Sequence, residues 1–131
     1  MADQMRRALA ERLEVPAAEV WLLLCAVRSD GLIDYWFLVG GTFYRCWAEF
    51  EYEDATMSDD VMVASRLVGV LSLQFAYPEA RTVYCGFVEE IGGKRAYYFK
   101  MGNIVVAVGF PLSNVFERGS ELPRTLQYPG N

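Results

Sequence analysis

The segment SDDVMVASRLVGVLSLQF, residues 58–75, carries the strongest fold signal in the chain. Ser58 can cap a helix whose positively polarised start favours Asp59 and Asp60. The apolar residues that follow occupy nearly every side of that helix, and a helix that is hydrophobic all round must be covered all round. Because one sheet face covers only one side, we expect the remainder to meet the N-terminal helix, the C-terminal segment or a second subunit.

The chain before this segment predicts one helix and three strands. Residues 3–14 have the pattern of a helix that Asp3 caps and that ends before Pro16. Strands are predicted over 20–27, 35–39 and 43–53. Glycines in the two intervening turns supply the positive φ that tight hairpins need.

The chain after this segment repeats the same layout. Three further strands are predicted over 83–89, 95–101 and 104–110. A shift of 62 positions aligns the two halves without a gap, placing Pro16 on Pro78 and Gly31 on Gly93. An internal duplication would produce this match, and so would the small set of residues that hairpin turns use.

The predicted fold is therefore α+β, with two helix-plus-three-antiparallel-strand units (αβββαβββ) and the helices packed on the sheet. We expect one domain, divided into a first half (1–54), a second half (55–110) and an irregular tail (111–131) that is rich in Pro, Gly and Ser. Two helices in a single layer cannot cover both faces of six strands, so an aromatic sheet face is expected to remain open.

Composition narrows the classes of function. The 131 residues are 53% apolar and carry a net charge of −5, which indicates a globular chain and argues against a nucleic-acid binder. No segment resembles a signal peptide or a membrane span. Cys25, Cys46 and Cys85 are an odd, widely spaced set, which favours a reducing compartment. We expect a cytoplasmic protein that contacts neither nucleic acid nor membrane.

The sequence offers no catalytic set. The chain has no His, so an imidazole base and a His metal ligand are both excluded. None of the cysteines has a base at a useful spacing, and the expected environment of each is an apolar core. We therefore predict no catalytic residue, no metal and no cofactor.

A candidate partner-binding surface lies on the strand 43–53. Trp47 shares the predicted wet face with four charged residues, and six acids with no base occur between Glu49 and Asp60. The predicted site comprises Trp47, Arg45, Glu49, Glu51, Glu53 and Asp54. Such a surface fits a basic protein partner with Trp47 as an anchor, and it equally fits a solvated strand edge that resists aggregation.

Three functions remain open. The first is a non-catalytic protein-binding module, a small homodimeric chaperone, adaptor or inhibitor; the layout resembles that of secretion chaperones, whose closing amphipathic helix this chain lacks. The second is a small-molecule-binding or enzymatic domain with an aromatic-lined pocket between sheet and helices, which a cavity holding Cys85 or a buried carboxylate would favour. The third is a structural subunit whose tail threads into a neighbour.

Overall fold

A computed structural model describes residues 1–110, 115–119 and 121–129, with the backbone alone for 115–119. The helices are α1 (Ala2–Leu13) and α2 (Asp59–Phe75). The strands are β1 (Trp21–Val27), β2 (Ile33–Val39), β3 (Thr42–Trp47), β4 (Glu51–Asp54), β5 (Thr82–Glu89), β6 (Arg95–Met101), β7 (Ile104–Phe110) and β8 (Val115–Gly119). The chain is α+β, as the sequence predicts.

The eight strands form one sheet in the order β4-β3-β2-β1-β5-β6-β7-β8. Every neighbouring pair is antiparallel except β1 and β5, which run parallel at the centre and pair at Cys25–Val83 and Ala26–Tyr84. The prediction of a wholly antiparallel sheet is therefore wrong at this junction. The reason is that the chain reverses at each step from β1 to β4, so β4 runs opposite to β1, and the connection through α2 then leads into β5 in the direction opposite to β4.

The two helices pack on opposite faces of the sheet. Met5 and Leu9 of α1 pack with Phe37 and Cys46, and we call this side the α1 face. The other side, the α2 face, carries the larger core, in which α2 packs on Leu24, Trp36, Tyr84, Tyr97, Phe99 and Val106. Because α1 lies across the sheet from α2, α1 is not the one of the three expected partners that covers the outer side of α2.

This arrangement leaves part of the α1 face without a helix. The core beneath α1 draws on β1, β2 and β3, whereas α2 packs over strands of both halves. Over β5 to β7, the α1 face presents Val83, Cys85, Lys100 and their neighbours, and no helix of the described residues covers them. The sheet face without a helix is therefore this half of the α1 face, and Val83, Cys85 and Lys100 on it are not the aromatic residues that the sequence predicts there.

Two predicted segments differ in the structure. The strand expected over 43–53 ends at Trp47, because Glu49 and Phe50 take left-handed conformations with φ of 65° and 60°, and the chain turns back as β4. The tail expected to be irregular contains β8, and its Gln127 pairs with Phe87. In both places backbone pairing outweighs the local propensity from which the expectation came.

The helix starts also differ in detail from the prediction. Met1 stands at the cap position of α1, and Asp3 lies in the first turn, where it pairs with Arg6 at 2.6 Å. Ser58 does stand at the cap position of α2, but its hydroxyl donates to the Asp60 carboxylate instead of accepting from the helix backbone. Within the described parts of the chain, neither helix is long and apolar enough to cross a bilayer.

Candidate functional site

An open groove of about 560 Å³ lies on the uncovered half of the α1 face. Its floor crosses the parallel junction between the two halves and consists of Ile33, Val27, Val83, Cys85 and Lys100. Its remaining walls are Tyr77, Arg81, Gly102, Leu122 and Tyr128. The groove lies between the sheet and the C-terminal segment and contains Cys85, whereas the aromatic-lined pocket of the second function is expected between sheet and helices.

The C-terminal segment is held beside this groove by backbone pairing with β5. β5 pairs with β1 only at Val83 and Tyr84. Among the described strands, none pairs with the rest of β5 on that side. Phe87 and Gln127 exchange two backbone hydrogen bonds of 3.0 and 2.8 Å across that edge. This pairing positions Leu122 and Tyr128 over the sheet, where they complete the groove.

The thiol in the groove is protonated at neutral pH. Burial raises the pKa of Cys85 to about 11, an effect that the nearby Lys100 charge only partly offsets. The thiol contacts the Val83 carbonyl oxygen at 3.4 Å. Cys25 and Cys46 are buried as well, and burial likewise raises the pKa of each to about 11. All three thiols therefore behave as small apolar groups, as the sequence predicts, and none is poised as a nucleophile.

Charge in the groove is confined to two cations. Arg81 and Lys100 line it, and among the described residues neither has a carboxylate within ion-pairing distance. Arg28 and Arg45, by contrast, are engaged with acids. A groove whose floor is apolar apart from Lys100 is suited to holding a molecule that is largely apolar.

The predicted partner-binding residues are only partly together. In the hairpin of β3 and β4, Arg45 pairs with Glu53 and Trp47 with Glu51, so these four share the α2 face. Glu49 lies in the turn, and Asp54 pairs with Tyr44 on the opposite face. The single two-sided strand of the prediction is replaced by an acidic hairpin in which β4 is the edge strand.

Trp47 is held in place by cations. The Arg28 and Arg45 guanidinium carbons lie 5.6 and 5.5 Å from the Trp47 ring centroid, and the ring is half-buried. Arg45 also forms an ion pair with Glu53. Trp47 is thus a half-buried part of a charged cluster.

Asp34 is the buried carboxylate of this cluster. It is 6% exposed and stands 3.7 Å from Arg28 and 3.8 Å from Arg45, too far for direct hydrogen bonds. Burial raises the pKa of Asp34, and the two arginines only partly oppose that effect. A polar cavity of about 190 Å³ adjoins it, lined also by Trp36 and Pro129. Sequence alone does not single out Asp34, because a lone Asp beside a turn is usually solvated.

A second buried carboxylate supports the core of the α2 face. The hydroxyl of Tyr84 donates to the Asp60 carboxylate at 3.0 Å, and Ser58 donates to the other oxygen at 2.6 Å. Burial, with Asp60 beside it, raises the pKa of Tyr84. The sequence placed Asp60 at the start of a helix but could not show that it is buried and bonded across the core.

Compared with known proteins, the chain matches no protein-family model, no curated protein and no solved structure. Its function is therefore argued from the site alone.

Proposed function

We propose that this protein is a small-molecule-binding module whose groove on the α1 face holds a largely apolar ligand. The observation that carries the proposal is the groove itself, a concavity of about 560 Å³ within the range usual for ligand sites. It lies on the sheet face that the two helices leave open, and it contains Cys85, the feature expected of a pocket of this kind. Its neutral thiol and apolar floor suit binding more than reaction.

A neutral apolar dye tests the proposal. Nile red should fluoresce when it enters the groove of the wild-type protein, and Val83→Trp should reduce that signal because the indole fills the floor. Leu73→Trp is the matched control, since it places the same ring on the outer side of α2, where Leu73 is 87% exposed. Equal fluorescence with both folded variants would rule out the groove as the dye site.

A protein-binding function is the second candidate, favoured by the outer side of α2. Met62, Val70 and Leu73 are 37%, 41% and 87% exposed, so a row of apolar side chains faces solvent along one helix. A homodimer that buries these side chains against each other, with the exposed Arg66 between Met62 and Val70, would cover the outer side of α2. The acidic hairpin with Arg45, Trp47, Glu51 and Glu53 would remain available to a basic protein partner.

Sedimentation equilibrium tests the homodimer on which this second function depends. The wild-type protein should sediment as a dimer, and Leu73→Glu should convert it to a monomer without loss of secondary structure. Ile91→Glu is the matched control, because Ile91 is 98% exposed in the turn before β6 and outside the proposed interface. A wild-type monomer at high concentration would exclude the homodimer.

The buried free thiols support a reducing compartment such as the cytoplasm. The third function, a structural subunit with a threading tail, has less support, because Gln127 pairs with Phe87 of its own chain.

We also propose that the two halves of the chain arose by internal duplication. Three local features recur at the same 62-residue shift: a one-turn 3-10 helix after Pro16 and after Pro78, left-handed residues at Glu14 and Ala76, and irregularities at Leu22/Leu24 and Tyr84/Gly86. The strand order is also symmetric about the β1–β5 junction. These matches involve backbone irregularities, which ordinary hairpin turn chemistry does not require.

A further inference from the structure

We propose that the groove selects an amphipathic carboxylate, an alkyl chain with one anionic end, with the carboxylate at Arg81 and Lys100 and the chain over the apolar floor. This inference rests on the proposed small-molecule function and specifies its ligand class. It follows from how the strand directions distribute polar and apolar side chains along the groove.

The polar side chains gather at one end of the groove. Arg81 immediately precedes β5, and Lys100 pairs with Val83 near the start of that strand. Tyr77 belongs to the same end, since its hydroxyl approaches Gly102, two residues beyond Lys100. Arg81, Lys100 and Tyr77 therefore all line the part of the groove where β5 begins.

The opposite end of the groove is apolar. Because β1 and β5 are parallel and Cys25 pairs with Val83, the end of β1 at Val27 lies level with Cys85. Ile33 pairs with Val27 on β2 and extends the apolar floor in the direction away from Lys100. Leu122 of the C-terminal segment adds a further apolar wall. A ligand would thus meet cations at one end, and aliphatic groups, the Cys85 thiol and the Tyr128 ring at the other.

The two cations are exposed and therefore available to an anionic group. Neither has an ion-pairing partner in the described parts of the chain, although the protein as a whole carries a net charge of −5. The planar guanidinium of Arg81 matches a carboxylate, and the Lys100 ammonium adds a point charge. Aliphatic surface directly beside this charge favours a ligand that combines both characters in one molecule.

A matched pair of ligands tests the inference by calorimetry. Decanoate and decanol share an alkyl chain and differ in the head group. We expect the wild-type protein to bind decanoate about 10-fold more tightly than decanol, the gain that two partly exposed ion pairs provide. Arg81→Gln/Lys100→Met should bring the ratio close to one by weakening decanoate alone. Lys94→Met is the control, because Lys94 is an exposed lysine outside the groove, and it should leave the ratio unchanged.

The outcomes separate the two proposals. If neither ligand binds the folded wild-type protein, the small-molecule function itself is wrong. If both bind with equal affinity, the groove is a ligand site but its selectivity for carboxylates is wrong. A preference for decanoate that persists in the folded double variant would also overturn the inference, because the charge would then lie elsewhere.

Discussion

Gly86 lies against the backbone of Gln127 so closely that a Cβ at Gly86 would stand 2.1 Å from the Gln127 carbonyl oxygen. Gly86 also has a φ of +128°, a conformation that residues with side chains rarely adopt. This contact allows the C-terminal segment to pair with β5 beside the groove, so the residue without a side chain is what permits the wall of the site to form.

Replacing Gly86 with alanine should therefore release the C-terminal segment. We expect Gly86→Ala to lower the free energy of unfolding by about 3 kcal/mol, since it combines backbone strain with a backbone collision. Amide exchange of Phe87 and Gln127 should accelerate. Gly93→Ala is the control, because the φ of Gly93 is +75° but nothing lies near a Cβ at this position. We expect urea titrations to show a loss of only about 1 kcal/mol in its free energy of unfolding. Equal effects of the two substitutions would contradict the close contact.

Removing the Tyr84 hydroxyl should destabilise the core of the α2 face. Tyr84→Phe takes one donor from the buried Asp60 carboxylate, and we expect a loss of about 2 kcal/mol in the free energy of unfolding. Tyr98→Phe, at a half-buried position with no hydrogen bond recorded for its hydroxyl in the described chain, should change stability by less than about 0.5 kcal/mol. Chemical denaturation of both variants at pH 7 makes the comparison.

Asp34 should make stability depend on pH in a predictable direction. Because burial raises the pKa of Asp34 in the folded state, its protonated form favours folding below the ordinary value of 3.8, and that contribution is lost as the pH rises through the folded-state pKa. Asp34→Asn removes this titration. The free energy of unfolding of the variant, relative to that of the wild type, should therefore rise from pH 3 to pH 7. A relative decrease over that range would show that Arg28 and Arg45 outweigh burial.

Cys85 should resist alkylation while the protein is folded. With a pKa of about 11, about one thiol in ten thousand is ionised at pH 7, so iodoacetamide should react far more slowly than with the unfolded chain. The rate of alkylation should rise with pH until the pH reaches the pKa of Cys85. Peptide mapping of the modified Cys85 gives the measurement, and rapid labelling at pH 7 would show that the thiol is not buried as described.

Much of the backbone could be predicted from sequence because its signals are local. The apolar run of residues 58–75 indicates α2, and the glycine turns separate strands whose ends the structure reproduces within a few residues. The break at Glu49 and Phe50 could not be predicted, since neither residue favours the left-handed conformation that it adopts. That conformation is maintained by the pairing of β4 with β3, which local sequence does not reveal.

The candidate site was less accessible to sequence reasoning. Charge pattern alone singled out Trp47 and its acidic neighbours, but the Arg28 and Asp34 that surround them come from a different turn and strand. The groove depends on three segments that meet only because β1 and β5 are parallel and Gln127 pairs with Phe87. Long-range pairings of this kind leave no periodic signal in a single sequence.

Methyl NMR of the protein titrated with decanoate tests the central claim most directly. The proposed site predicts that the methyl signals of Ile33, Val83 and Leu122 shift together in a saturable manner. The signals of Val106 and Val108, which are buried in the core of the α2 face, should stay in place. Shifts confined to Met62, Val70 and Leu73 on α2, or no shift at all, would contradict a ligand site on the open half of the α1 face.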